Sequence, residues 1–366
     1  MISPAVRGLS YHHKKPLAGI LLRAGALLNN TLVLCSTPSS SIYSQFHPQS
    51  QLSLRSSLVA NPSLQSVRMV SNSRNEPFTR DKLFDLKGHV ALVTGGGSGI
   101  GLMATQALVA NGAKVYVTGR TKEKLDRVAE LYSETGGDGK GSIVPIQCDL
   151  TDKAQLANLA QEISSREGCL CILVNNAGIS GATTQTEAGS AGEMKKNLFD
   201  AEQSTMEDWT DVYRTNVAQI FFATTAFLPL LQKSSQKFPG WSGTVINISS
   251  ISGLVKTAQH HFAYNASKSA AAHLTRMLAA EVAANELKIR INSIAPGVFP
   301  SEMITDGSNE DQKSHIPKEK YESKVPAGRP GKDDDMAQTV LFFAANQYLN
   351  GQIVAVDGGY TLAAGE

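Results

Sequence analysis

A single doubly wound α/β domain, with a seven-stranded parallel sheet and helices on both faces, is predicted for residues 76–366. Three observations carry that expectation. Seven short runs, at 89–94, 113–118, 142–147, 171–175, 244–249, 288–294 and 352–356, are mostly apolar and rich in β-branched residues. Strands buried on both faces read this way, whereas half-exposed strands alternate apolar with polar. Longer amphipathic segments lie between the runs, at 99–111, 122–132, 153–165, 206–232, 262–284 and 334–345. Strand and helix taken in turn imply parallel strands joined by helical crossovers. The third observation is a glycine-rich turn between the first run and the first helix.

The chain ahead of that domain has a different character. Residues 1–75 hold no Asp or Glu, seven Lys or Arg and fifteen Ser. Taking those seven charges from the net +2 of the whole chain leaves −5 on residues 76–366. A basic, Ser-rich, acid-free leader reads as an organelle transit peptide, and the mitochondrion is the expected destination. The apolar stretch 16–28 is broken by Arg23, unlike the continuous core of a secretory signal. An untargeted tail is the plain alternative, and translation from Met69 would give a shorter cytoplasmic form.

Composition narrows the function classes. With 42% apolar and 18% charged residues among 366, the chain has the balance of a folded domain rather than of a disordered one. The near-neutral charge argues against a nucleic-acid binder. No run reaches the ~18 apolar residues of a membrane span. The four cysteines, Cys35, Cys148, Cys169 and Cys171, form neither C-x-x-C nor zinc spacing. No metal site or disulfide framework is expected, and a reducing compartment suits them.

The elements now take their places in order. The first run feeds Gly95-Gly96-Gly97-Ser98-Gly99-Ile100-Gly101, and a helix follows. Glycine lets backbone approach a pyrophosphate, and the helix N-terminus supplies N–H donors and a positive dipole end. Taken alone the run is also an ordinary tight turn; the strand before and helix after favour a nucleotide. The second run ends at Gly119-Arg120. A site for NAD sets a carboxylate at this tip to accept from the ribose 2′-hydroxyl. Here no acid stands, and the planar cation of Arg120 suits a 2′-phosphate, so NADP(H) is the expected cofactor. The third run ends at Cys148-Asp149-Leu150, where Asp149 on its own reads as an N-cap for the next helix.

The fourth run closes in Asn175-Asn176-Ala177-Gly178, whose small residues leave room at the carboxyl edge of the sheet, where open α/β sheets bind ligands. Residues 180–204 look irregular, and 181–192 within them read as a flexible flap or surface insertion. Asn216 falls inside the helical segment 206–232. The fifth run leads into Ser249-Ser250-Ile251-Ser252-Gly253, and Tyr264 follows fourteen residues after Ser250. Tyr264 and Lys268, at i and i+4, share a helix face. A free phenol titrates near pH ~10, and a neighbouring ammonium lowers that value toward useful proton transfer. His260 and His261 stand close enough in sequence to rim the same pocket. After the sixth run come Pro296-Gly297-Val298-Phe299-Pro300-Ser301 and a polar stretch to 324, either a substrate lid or a solvated loop. The seventh run, with Asp357-Gly358-Gly359-Tyr360, closes the sheet.

The spacing Thr94-Gly95-x-x-x-Gly99-x-Gly101, the Asn-Asn-Ala-Gly run, Asn216, the serine at the fifth strand end and Tyr264-x-x-x-Lys268 together resemble the short-chain dehydrogenase/reductase family over residues 84–362. Within it the chain looks most like 3-oxoacyl-[acyl-carrier-protein] reductases and the fungal rhamnolipid-reductase-like group. The resemblance implies a Rossmann-type domain that reduces a small-molecule carbonyl to a hydroxyl by hydride transfer from NADPH. By the same resemblance Ser250 holds the carbonyl, Tyr264 passes the proton, Lys268 binds the nicotinamide ribose and lowers the phenol pKa, and Asn216 holds a water in a proton relay. Ser249 and Ser252 are the rival serines; spacing before Gly253 favours Ser250. The cofactor residues carried over are Gly95, Ser98, Gly99, Ile100, Gly101, Arg120, Asp149 at the adenine amino group, Leu150, Asn176, Ala177, Gly178, Tyr264, Lys268, Pro296, Gly297, Phe299 and Ser301. The family implies a homodimer or homotetramer through its long helices and chain end. Three departures stand out: extra length between Gly178 and Asn216, Phe299 in place of an aliphatic residue, and Ser301 in place of Thr. A catalytically silent NADP-binding or RNA-associated protein on the same fold is the alternative function; its usual mark is a broken Tyr/Lys pair, and here the pair is intact.

Overall fold

The computed structural model describes residues 74–134, 140–305 and 307–365. All but the last two residues of the basic leader lie outside them.

A turn at Glu76–Phe78 and the short α1 (Arg80–Leu83) lead to β1 (Val90–Thr94) and α2 (Gly99–Ala110). Then follow β2 (Lys114–Gly119), α3 (Lys122–Tyr132), β3 (Ser142–Gln147), α4 (Lys153–Glu167) and β4 (Ile172–Asn175). The next segment carries α5 (Ala191–Leu198), α6 (Met206–Tyr213) and α7 (Gln219–Lys237), and β5 (Gly243–Ile248) and α8 (Phe262–Ala284) come after it. The chain closes with β6 (Ile289–Pro296), α9 (Asp333–Ala345), β7 (Ile353–Val356) and α10 (Tyr360–Ala364). All seven strands are parallel, in the order β3-β2-β1-β4-β5-β6-β7. The order reverses between β1 and β4, and the crevice at that reversal is where such sheets bind ligands.

The apolar runs are continuous because both faces of the sheet are covered. Along β1, Ala91 and Val93 join the layer that includes α2 and α9, while Val90 and Leu92 join the layer of α4, α7 and α8. Each fully buried Leu, Ile or Val contributes ~1.5–3 kcal/mol over its exposed state.

Two expectations change. The helical segment 206–232 is not one helix: a π turn at Arg214–Ala218 separates α6 from α7. The irregular stretch 180–204 contains α5, capped by Ser190 Oγ on Glu193 N at 3.2 Å. Nothing in α5 is buried, so no apolar periodicity announces it. Cys148, Cys169 and Cys171 are free thiols. Among the described residues no helix is long and apolar enough to cross a membrane, and no cluster of His, Cys, Asp and Glu is arranged to hold a metal.

Candidate active site

The glycine turn is built by steric exclusion. Gly99 holds a φ of +52°, in the left-handed region, and a Cβ on it would meet Ser301 Cβ at 2.9 Å. A Cβ on Gly101 would overlap the Gly95 carbonyl and the Asn176 amide. The turn is pinned from β4: Asn176 Nδ2 donates to the Thr94 and Gly95 carbonyls at 3.0 and 3.1 Å. Thr94 Oγ1 accepts from Asn176 N at 2.9 Å and from Ala177 N at 3.1 Å. Thr94 is therefore a site-building residue beyond those assigned from sequence, and its signal was only its place at the head of the turn.

From the turn a cavity of about 750 Å³ runs along the carboxyl edge of the sheet. At one end it is lined by Ser98, Arg120, Asp149 and Leu150, at the other by Ser250, Tyr264 and Lys268. Gly95, Gly99, Ile100, Asn176, Ala177, Gly178, Pro296, Gly297, Phe299 and Ser301 also line it. Arg120 is exposed at the β2 tip, and its carbonyl accepts from Gln147 Nε2 at 2.7 Å. Asp149 does not cap α4. Its carboxylate takes the Thr151 N–H and hydroxyl at 2.9 and 2.8 Å, and Asp152 is the N-cap, accepting from Ala154 N at 2.8 Å. Phe299 is only 2% exposed, and a Cβ on Gly331 would collide with its ring, so it fills the core under the cavity wall.

Ser250 ends the strand as the N-cap of a 3₁₀ turn, Ile251–Gly253, accepting on Oγ from Ser252 N at 3.1 Å. Its hydroxyl stands close enough to Tyr264 to act on the phenol. The rival serines face elsewhere: Ser249 Oγ donates to the Ile294 carbonyl at 3.0 Å, and Ser252 Oγ donates to Gln259 Oε1 at 2.9 Å. Lys268 Nζ lies 5.6 Å from the Tyr264 ring centroid and donates to the Ile248 carbonyl at 3.0 Å. Burial pushes the Lys268 ammonium down to about 8. Burial also raises the Tyr264 phenol above its ordinary value, and Ser250 offsets part of that rise. In the unliganded site burial is thus the larger influence on the phenol.

Asn216 sits in the π turn, 1% exposed. Its Oδ1 accepts from Ile179 N at 2.9 Å, and its Nδ2 donates to the Ile179 carbonyl at 2.9 Å and to Ser267 Oγ at 3.0 Å. The amide is committed to holding the segment after β4 against α8. π bulges of this kind recur at functional sites. Beneath it, Asn175 donates to Thr224 and Asn247, and Asn247 to Thr275, tying β4, β5, α7 and α8 together.

The extra length before Asn216 folds over the loop that precedes Tyr264. Thr184 N donates to the His260 carbonyl at 2.9 Å, and His260 Nδ1 lies 3.2 Å from both the Thr184 carbonyl and Thr186 Oγ1. Gln259 and His260 both take positive φ, 52° and 66°. Residues 302–305 and 307–313 are tied to α3, since Tyr132 OH donates to the Asp311 carbonyl at 2.7 Å and Lys124 pairs with Glu302 at 2.7 Å.

The model of the short chain dehydrogenase family matches residues 89–312. The short-chain dehydrogenase/reductase PhomF of Diaporthe leptostromiformis is 38% identical over 282 residues, 76% of this chain and 92% of the relative. The rhamnolipids biosynthesis 3-oxoacyl-[acyl-carrier-protein] reductase of Pseudomonas aeruginosa is 35% identical, covering 76% of this chain and 98% of the relative. Among solved structures, the Pseudomonas aeruginosa RhlG/NADP active-site complex aligns with a TM-score of 0.59 at 33% identity, over 76% of this chain and 98% of that one.

Proposed function

The chain belongs to the short-chain dehydrogenase/reductase family of oxidoreductases, and from that membership we propose that it reduces a ketone to a secondary alcohol with NADPH, a 3-oxoacyl group being the leading substrate. One observation carries the proposal: a single cavity joins the glycine turn to Ser250, Tyr264 and Lys268. The residues fit a dinucleotide. Only hydrogen fits at Gly99 and Gly101, which leaves the N-terminal amides of α2 facing the cavity for a pyrophosphate. Arg120 offers a cation at the ribose end with no acid beside it in sequence. Similarity to the 3-oxoacyl reductase and to the NADP complex supports the acyl substrate and the coenzyme.

When bound, the reduced nicotinamide supplies a hydride to the carbonyl carbon. Ser250 Oγ already accepts from Ser252 N, so its proton is available to the carbonyl oxygen and aligns it. Tyr264 gives its proton to that oxygen as negative charge develops there. A phenol held above its ordinary pKa by burial is protonated at rest, which suits the reducing direction. Lys268 carries a positive charge beside the ring and stabilises the phenolate left behind. Asn216 positions the wall behind both.

The test is coenzyme oxidation by the purified protein with 3-oxoacyl thioesters, diketones, quinones and sugars, each run with NADPH and with NADH. Turnover with NADPH on an acyl thioester, slower with NADH, is expected. Tight NADPH binding without turnover on any substrate would identify a silent binding protein instead.

A further inference from the structure

Glu302 brings an acid into the coenzyme cavity, which it lines together with Ser98, Arg120 and Lys124. Its two carboxylate oxygens accept from Lys124 Nζ at 2.7 and 2.8 Å. One of them also accepts from Ser308 Oγ at 2.6 Å, and Ser98 of the glycine turn stands near enough to help hold the carboxyl low. Lys124 stands over that turn: a Cβ on Gly97 would touch Lys124 Cβ at 3.5 Å. The segment that carries Glu302 runs along α3, held by Tyr132 OH on the Asp311 carbonyl. Burial alone would raise the Glu302 carboxyl, but the donors around it more than reverse that, and it is an anion at neutral pH.

An anion thus lies among a hydroxyl and an ammonium at the mouth of the cleft, on the side of the β2 tip. A phosphate monoester offers the same acceptor geometry and more charge, ~−1.5 to −2 near neutral pH. We propose that Lys124 is a second specificity residue for the coenzyme 2′-phosphate, beside Arg120, and that Glu302 is an internal anion that holds this subsite until the 2′-phosphate displaces it. The proposal rests on the NADP(H) reading given above. The exchange is ionic and makes or breaks no covalent bond: Lys124 and Ser98 pass from a carboxylate to a phosphate. A coenzyme with only a 2′-hydroxyl has nothing to exchange for the carboxylate, so the Lys124–Glu302 pair stays closed against it.

The experiment is calorimetric titration of the full chain and its variants with 2′,5′-ADP, which carries the distinguishing phosphate, and with 5′-ADP, which does not. The wild type takes 2′,5′-ADP more tightly. Lys124→Met weakens 2′,5′-ADP about tenfold and 5′-ADP by less than about twofold, as loss of one charge-assisted contact requires. Lys124→Arg restores most of the loss. Glu302→Gln tightens 2′,5′-ADP severalfold and leaves 5′-ADP alone, and that gain disappears in the Lys124→Met background. Equal losses for both ligands in Lys124→Met would place the lysine at the pyrophosphate and overturn the proposal. So would an unchanged affinity for 2′,5′-ADP in Glu302→Gln. A wild type that binds both ligands equally overturns the NADP(H) reading and this proposal together; a preference that neither variant shifts overturns this proposal alone.

Discussion

Ser249 turns into the sheet, donating to the Ile294 carbonyl and accepting from Ser293 Oγ at 2.8 Å, while Ser250 caps a turn with its hydroxyl at Tyr264. Neighbours in sequence, they should separate in an assay. Ser250→Ala should lower turnover sharply. Ser249→Ala should lower stability by ~1 kcal/mol, the net value of a buried hydrogen bond, with turnover little changed. Tyr264→Phe should cost ~10²–10⁴-fold in turnover and leave NADPH affinity intact, since only the proton donor is lost. Near-normal turnover of the Phe variant, or the reverse ranking of the serines, would reassign these roles. Arg120→Asp should turn the coenzyme preference toward NADH by removing a phosphate partner and adding repulsion; an equal loss with both coenzymes would make Arg120 structural. At this scale the sequence was legible where chemistry follows local spacing, as with Tyr264 and Lys268 one helical turn apart. It was silent on Lys124 and Glu302, 178 residues apart, because each reads as an ordinary surface charge until the fold joins them.

The seven strands and the helices between them were legible as elements because burial on both faces leaves unbroken β-branched runs, and the crossovers keep their 3.6-residue periodicity. Element ends and interruptions were less so. The π turn at Arg214–Ala218 follows from Asn216 bonding Ile179, a tertiary contact with no local signature. Another such contact secures α9. Arg290, 4% exposed on β6, donates through Nη1 to the Phe343 and Leu349 carbonyls at 3.2 Å and through Nη2 to the Ala344 carbonyl at 2.9 Å. It satisfies carbonyls that the helix end leaves open, and its charge opposes the negative end of the helix dipole. Burial pushes its guanidinium down to about 10, so it stays charged at neutral pH. Arg290→Met should lower the unfolding free energy by ~2–4 kcal/mol in a denaturant titration, because two buried carbonyls and one half-buried one lose a charged donor. A variant as stable as the wild type would show that water replaces the guanidinium at no cost.

For the whole chain, charge divides sharply between the leader and the domain. Seven positive charges without an acid in residues 1–75 suit import into a negative-inside organelle, and we propose the mitochondrion as the destination. A reporter fused to residues 1–68 should accumulate there; a diffuse cytosolic signal would refute the targeting. The domain itself points to self-association. Single exposed apolar side chains are ordinary on a protein surface. Here, however, three consecutive helices carry six: Met206 and Trp209 on α6, Phe221 and Phe222 on α7, and Phe262 and Met277 on α8, each 38–79% exposed. Residues of this type dominate the cores of protein interfaces. We propose that a second copy covers them. A two-fold arrangement would set the same helices of each copy against one another, so one substitution acts twice per interface. A stable contact of this kind buries ~1,200–2,000 Å² in total. Sedimentation velocity on the purified protein should therefore give the mass of a dimer or tetramer. Phe221→Asp combined with Met277→Asp should shift it toward the monomer, because each buried carboxylate would lack a partner. A wild type that sediments as a monomer at micromolar concentration would leave those six side chains as surface residues and refute the assembly.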